Sequence, residues 1–204
     1  MSRLFSGSTA CSFARTVQVA SFTALSLLPS SSLRAQTVAI TGGTVYPVSG
    51  PKIENGTVIL QNGRIIAVGR EVPVPAGATQ IDARGKSVVP GFVHASTTLG
   101  LSQVGSVDGT NESQKEGDLN PSFNVSEAID PAFVNIAVAR MEGVTSSISE
   151  PTGRFLPGQA VFIDLAGSRV DDMIVKSPVA MMVDLSEGSK GAGGGSRAGV
   201  MQRL

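Results

Sequence analysis

Two runs of β-branched and aliphatic residues, Thr57-Val58-Ile59-Leu60 and Arg64-Ile65-Ile66-Ala67-Val68-Gly69, are joined through Asn62-Gly63. Both central positions of a two-residue turn need positive φ, which Asn and Gly tolerate, so the pair predicts a tight hairpin. Similar signals surround it. Thr37-Val38-Ala39-Ile40 leads through the turn Thr41-Gly42-Gly43 to a strand Thr44–Val48, and Asn55-Gly56 opens the Thr57 strand. Pro73–Gly77 reads as a turn and Thr79–Ala83 as an edge strand. Gly85-Lys86 then turns the chain into Ser87-Val88-Val89. The expectation is an antiparallel sheet module over residues 36–89. A chain with 24 glycines, 11 prolines and only 4% aromatic residues fits short strands and tight turns better than a helical bundle.

From Pro90 the pattern changes. Val88-Val89-Pro90-Gly91-Phe92-Val93 is apolar apart from its turn residues, as a strand buried on both faces would be. Residues 100–129 are polar and rich in Gly, Ser and Asn, which predicts a long surface loop. Asp130-Pro131 predicts a helix N-cap with Pro at the first helical position, and Phe133, Ile136, Ala137 and Arg140 follow at helical spacing before Gly143. Val144–Ser149, Ala160–Leu165 and Pro178–Leu185 are the next strand candidates, and a glycine-rich stretch, 188–199, precedes a final helical start. Helices between apolar strands predict a parallel α/β arrangement. A complete eight-stranded barrel takes about 250 residues, so residues 90–204 are expected to supply the beginning of one.

The first 35 residues read as an export signal. Arg3 and Arg15 precede the apolar run Val17–Leu28, Pro29 breaks it, and Leu33-Arg34-Ala35 offers a cleavage point after Ala35. No acidic residue occurs before Glu54. The run is short for a membrane span, so the expectation is an exported protein, periplasmic or secreted, with no membrane association after cleavage. Cys11, the only cysteine, lies ahead of the apolar run, which argues against a lipoprotein and leaves no disulfide in the mature chain. Cleavage removes three arginines and leaves 13 basic against 16 acidic residues, a net charge of −3. No nucleic-acid partner is implied.

Taken in order, Gly42–Pro47, Asn55–Gly69 with Ile81–Lys86 behind it, and Val88–Val93 resemble the amidohydrolase superfamily, in the branch near imidazolonepropionase-like proteins. The resemblance continues more loosely through Gly143-Val144-Thr145, Pro157–Val161 and Asp172–Lys176. It implies an α/β plus β chain, with a composite β-sandwich over 36–89 and the beginning of a TIM-like (β/α) metal-dependent hydrolase barrel over 90–204. It also implies hydrolysis of carbon–nitrogen bonds in a small-molecule substrate.

In that family the strand after Pro-Gly normally ends in Asp-x-His-x-His. The two histidines bind a divalent, zinc-like metal that generates hydroxide from water. Here His94 takes the place of the aspartate, and Ser96 and Thr98 take the places of the histidines. On an alternating strand the three residues share one face. Neutral hydroxyls are poor zinc ligands, and His94 is the only histidine, so no metal ligand and no catalytic residue is assigned in this chain. The expected role of His94 is a hydrogen bond to backbone. A zinc-like metal is expected only in a longer parent, on later strands. Lys176 occupies a setting that reads as a solvated strand end.

Other signals are weaker. Gly193-Gly194-Gly195-Ser196-Arg197-Ala198 matches G-x-G-x-x-A in form and reads as a linker, because no acidic residue follows about 20 positions on. Asp108–Glu112 lacks the alternating carboxylates of a calcium loop. The sequons at Asn55, Asn111 and Asn124 matter only in a eukaryotic secretory route. Three functional readings remain: a hydrolase whose chemistry rests on residues outside this chain, a non-catalytic small-molecule or partner binder, and a truncated product. Oligomer formation is left open.

Overall fold

The computed structural model describes residues 37–114, 116–192 and 194–204. The export signal therefore lies outside the described residues. The chain divides into two compact units, residues 37–45 with 51–88, and residues 46–50 with 89–204.

In the first unit, β1 (Thr37–Val45), β2 (Ile53–Gln61), β3 (Arg64–Gly69), β4 (Thr79–Asp82) and β5 (Ser87–Val88) form one sheet. Its order is β3-β2-β1-β4, with β5 also on β1. The β2–β3 hairpin turns through Asn62 at φ 52° and Gly63 at φ 73°, as Asn-Gly requires. β1 runs without a break through the expected turn at Thr41-Gly42-Gly43, absorbing it as bulges against β2.

The antiparallel expectation fails at the other edge. β4 and β5 pair with β1 in parallel, Val38 opposite Thr79 and Thr44 opposite Ser87. The cause lies in residues 70–78. Pro73 and Pro75 hold that segment extended, so it crosses to the far side of β1 instead of reversing in a tight turn.

The second unit contains β6 (Phe92–Thr97), α1 (Val134–Met141), β7 (Val144–Ser149), β8 (Phe155–Asp164), α2 (Val170–Met173), β9 (Ile174–Asp184) and α3 (Arg197–Arg203). Its sheet order is β6-β7-β8-β9. β6, α1 and β7 form the expected strand–helix–strand unit, with β6 and β7 parallel. Gly91 has a packing reason: a Cβ there would lie 2.1 Å from Thr145 Cγ2 on β7. The parallel alternation then stops, because β7–β8 and β8–β9 are antiparallel. Residues 150–154 are too few for a parallel crossover, which takes a dozen or more.

Three further expectations change. α1 begins at Val134, with Phe133 at the N-cap. Asp130 instead accepts from the Ala132 amide at 2.8 Å and closes a turn ahead of the helix. Phe92 and Val93 are 59% and 58% exposed, not buried on both faces, because β6 is an edge strand paired only with β7.

The polar stretch 100–129 is not a surface loop throughout. Its Leu101, Val125 and Ile129 join Ile136, Val161, Ile163, Leu165 and Met173 in the core. Isolated bridges tie it down, Gln114 to Thr152, Leu119 to Leu156 and Asn124 to Gln159. The Asn124 side chain accepts from Ser126 N at 3.0 Å and starts the turn that carries Val125 inward.

Candidate functional site

The residues singled out in the sequence lie at the C-terminal end of β6, beside β7. Parallel strands place their C-terminal ends together, which is where open α/β sheets bind ligands. The regular alternation expected of His94, Ser96 and Thr98 is interrupted. Between the pairs His94–Ser147 and Thr97–Ser149, β6 advances three residues while β7 advances two. The strand ends at Thr97, so Thr98 lies beyond it, and its carbonyl accepts from Leu101 N and Ser102 N at 2.9 and 3.1 Å.

Several polar groups in this region have local partners. His94 Nδ1 accepts from the Ser96 amide at 3.4 Å, which is the backbone bond expected for it. The Ser96 hydroxyl donates to Glu150 Oε1 at 2.6 Å. The Glu150 amide in turn donates to Thr97 O at 2.9 Å. Below them Ser147 and Ser149 are buried, and the Ser149 hydroxyl donates to Leu99 O at 2.7 Å, tying the end of β6 to β7.

Glu150 was not singled out in the sequence. It reaches Ser96 across 54 positions of chain, and its neighbours Pro151-Thr152-Gly153 read as a turn. Only the parallel pairing of β6 and β7 brings it there.

This donor set does not fit a zinc-like metal. One hydroxyl is committed to a carboxylate, the other side chain lies past the strand, and the lone imidazole turns back on its own backbone. Among the described residues, no group of three or more His, Cys, Asp or Glu is placed to hold a metal. Lys176 is exposed within β9 and pairs in register with Phe162, so it sits inside a strand and not at a strand end. Gly193 lies outside the described residues. Ser196, from the same glycine-rich stretch, accepts from Gly199 N at 3.1 Å and caps α3.

No protein-family model matches the chain. A 5-methylthioadenosine/S-adenosylhomocysteine deaminase of Symbiobacterium thermophilum is 44% identical over 70 residues, 30% of this chain and 16% of that protein. The amidohydrolase TasK of Hapsidospora irregularis is 28% identical over 134 residues, 63% of this chain and 14% of its own length. The crystal structure of an amidohydrolase from Thermotoga maritima MSB8 superposes with a TM-score of 0.72 at 25% identity. That match covers 81% of this chain and 45% of the other. The chain thus spans less than half the length of each of these relatives.

Proposed function

The chain belongs to the amidohydrolase superfamily, and on that premise we propose that it carries the N-terminal part of an exported hydrolase acting on carbon–nitrogen bonds of a small molecule. Its two mixed sheets with few helices fit part of an amidohydrolase-like domain. In this reading the first unit is the composite sheet over 36–89 and the second opens the metal-dependent barrel.

The residues of β6 do not supply that chemistry. The observation that carries this is the 2.6 Å hydrogen bond from Ser96 to Glu150, at a position where the family resemblance implies a histidine ligand. A hydroxyl held by a carboxylate contributes neither imidazole nitrogen nor charge to a metal. In this reading any divalent metal is held by residues outside this chain, and the chain by itself is inactive as a hydrolase. The same substitution favours a second reading, a mouth that binds a small molecule without cleaving it.

Elemental analysis of the purified 204-residue chain, combined with turnover of N-acylated amino acids and dihydropyrimidines, tests the proposal. The expected outcome is less than stoichiometric metal and no turnover. One tightly held zinc per chain, lost on replacing His94 or Glu150, would overturn it. The non-catalytic reading is sunk if the complete coding sequence yields a protein that turns over either substrate class.

A further inference from the structure

Register places a polar row across three strands of the first unit. Thr57 on β2 stands opposite Thr41 on β1, and Thr41 stands opposite Asp82 on β4. The row continues to Gly69 on β3, opposite Thr57. Arg70 follows at that end and Arg84 lies at the other. All of these except Gly69 line a cleft of about 420 Å³ together with Gly42, Asn55 and Gln80. That is within the size range of small-molecule sites.

Three features separate this cleft from an ordinary charged surface. Thr57 is only 7% exposed and lines the cleft, yet its hydroxyl has no hydrogen-bond partner among the described residues. That oxygen is still reached by water, so it is available to a ligand that displaces the water. Second, Arg84 is held in place. Its Nε lies 3.0 Å from both Asp82 carboxyl oxygens and its Nη2 lies 2.7 Å from Oδ2. Its stem crosses Gly42, where a Cβ would sit 2.6 Å from Arg84 Cγ. The Arg84 fork also drives the Asp82 carboxyl down to about 2, so the pair stays charged at any ordinary pH. Third, the Arg70 Nε donates to Glu54 O at 3.3 Å, which anchors the stem; its terminal amino groups make no hydrogen bond among the described residues, and the Glu54 carboxylate shares part of its field.

We propose that this cleft binds a small organic hydroxy-carboxylate, its carboxylate on Arg70 with Arg84 completing the positive field and its hydroxyl on Thr57 and Thr41. Two guanidinium groups against one carboxylate favour an anion, and planar forks match carboxylate oxygens. The uncommitted hydroxyls between them, flanked by the Asn55 and Gln80 amides, match a ligand with its own hydroxyl or amide groups. The site lies wholly within the first unit, so it stands independently of the hydrolase reading.

Titration calorimetry of the full chain with citrate and with tartrate tests the proposal, with inorganic sulfate as the bare anion. Saturable binding of a hydroxy-carboxylate in preference to sulfate is expected. Arg70→Met should weaken it about tenfold or more, as loss of a charge-assisted bond does. Thr57→Val should weaken it severalfold while leaving the melting temperature unchanged or raised. Sulfate binding as tightly as citrate would overturn the proposal, as would a Thr57→Val variant with wild-type affinity or the absence of saturable binding.

Discussion

In the first unit the buried apolar residues Ala39, Val45, Val58, Ile59 and Ala83 all lie on paired strands or one residue beyond them. In the second, the core cluster takes Leu101, Val125 and Ile129 from outside any strand and Ile136 and Met173 from helices. β1 has neighbours on both edges, whereas β6 has one. The first unit is thus organised by backbone pairing and turn geometry, the second by side chains that irregular segments deliver to one face of a sheet. Substitutions should separate the two modes.

The largest effect belongs to the second unit. Leu101→Ala should destabilise it by about 2–5 kcal/mol, the range for truncating a buried leucine. Ile66→Ala on β3, at a residue 54% exposed, should cost roughly 0.5 kcal/mol or less. Chemical denaturation with a probe in each unit measures both. Equal costs would mean that residues 100–129 do not form part of a packed core.

Turn geometry should matter next, in the first unit. Gly63→Ala places a Cβ in open space, so its whole cost is the positive φ of 73°. That cost is about 1–2 kcal/mol. A neutral substitution would show that sheet pairing, not the turn, sets the hairpin.

The smallest effect is electrostatic. The Asp184 carboxyl is held below its ordinary value by the Ser189 hydroxyl and then by the Ser186 amide. A depressed folded value contributes stability that is present above the unfolded value and lost as pH falls through the folded one. Acid melting curves of Asp184→Asn should therefore show a shallower decline at low pH than wild type. Asp82→Asn should change the curve less, because that carboxyl and Arg84 both lie open to water. An equal or larger change for Asp82→Asn would reverse the comparison.

The same division explains what could be read from the sequence. The hairpin at Asn62-Gly63, the strand at Val144–Ser149 and Gly143 ahead of it are set by short-range chemistry, and all are present. The parallel placement of β4 and β5 was hidden because it depends on where an extended Pro73–Pro75 segment leads, not on either strand's own pattern. The burial of Leu101 and Val125 was masked by the polar residues around them. At the candidate site the substitutions at Ser96 and Thr98 were legible as residue types. Their partners were not, since Glu150 meets Ser96 only through β6–β7 pairing.

That pairing also governs the order in which the chain can assemble. The β2–β3 hairpin closes over two residues, but β7 can join β6 only after residues 98–143 have been drawn into a loop. Closing a long loop delays the contacts that reward it, so local pairings form sooner. During that interval Phe92 and Val93 stand on a strand with both edges open. An unpaired apolar strand in a partly folded chain invites pairing with another molecule. The rate at which α1 brings β7 to β6 therefore sets how long both edges of β6, rather than one, stay open to such pairing.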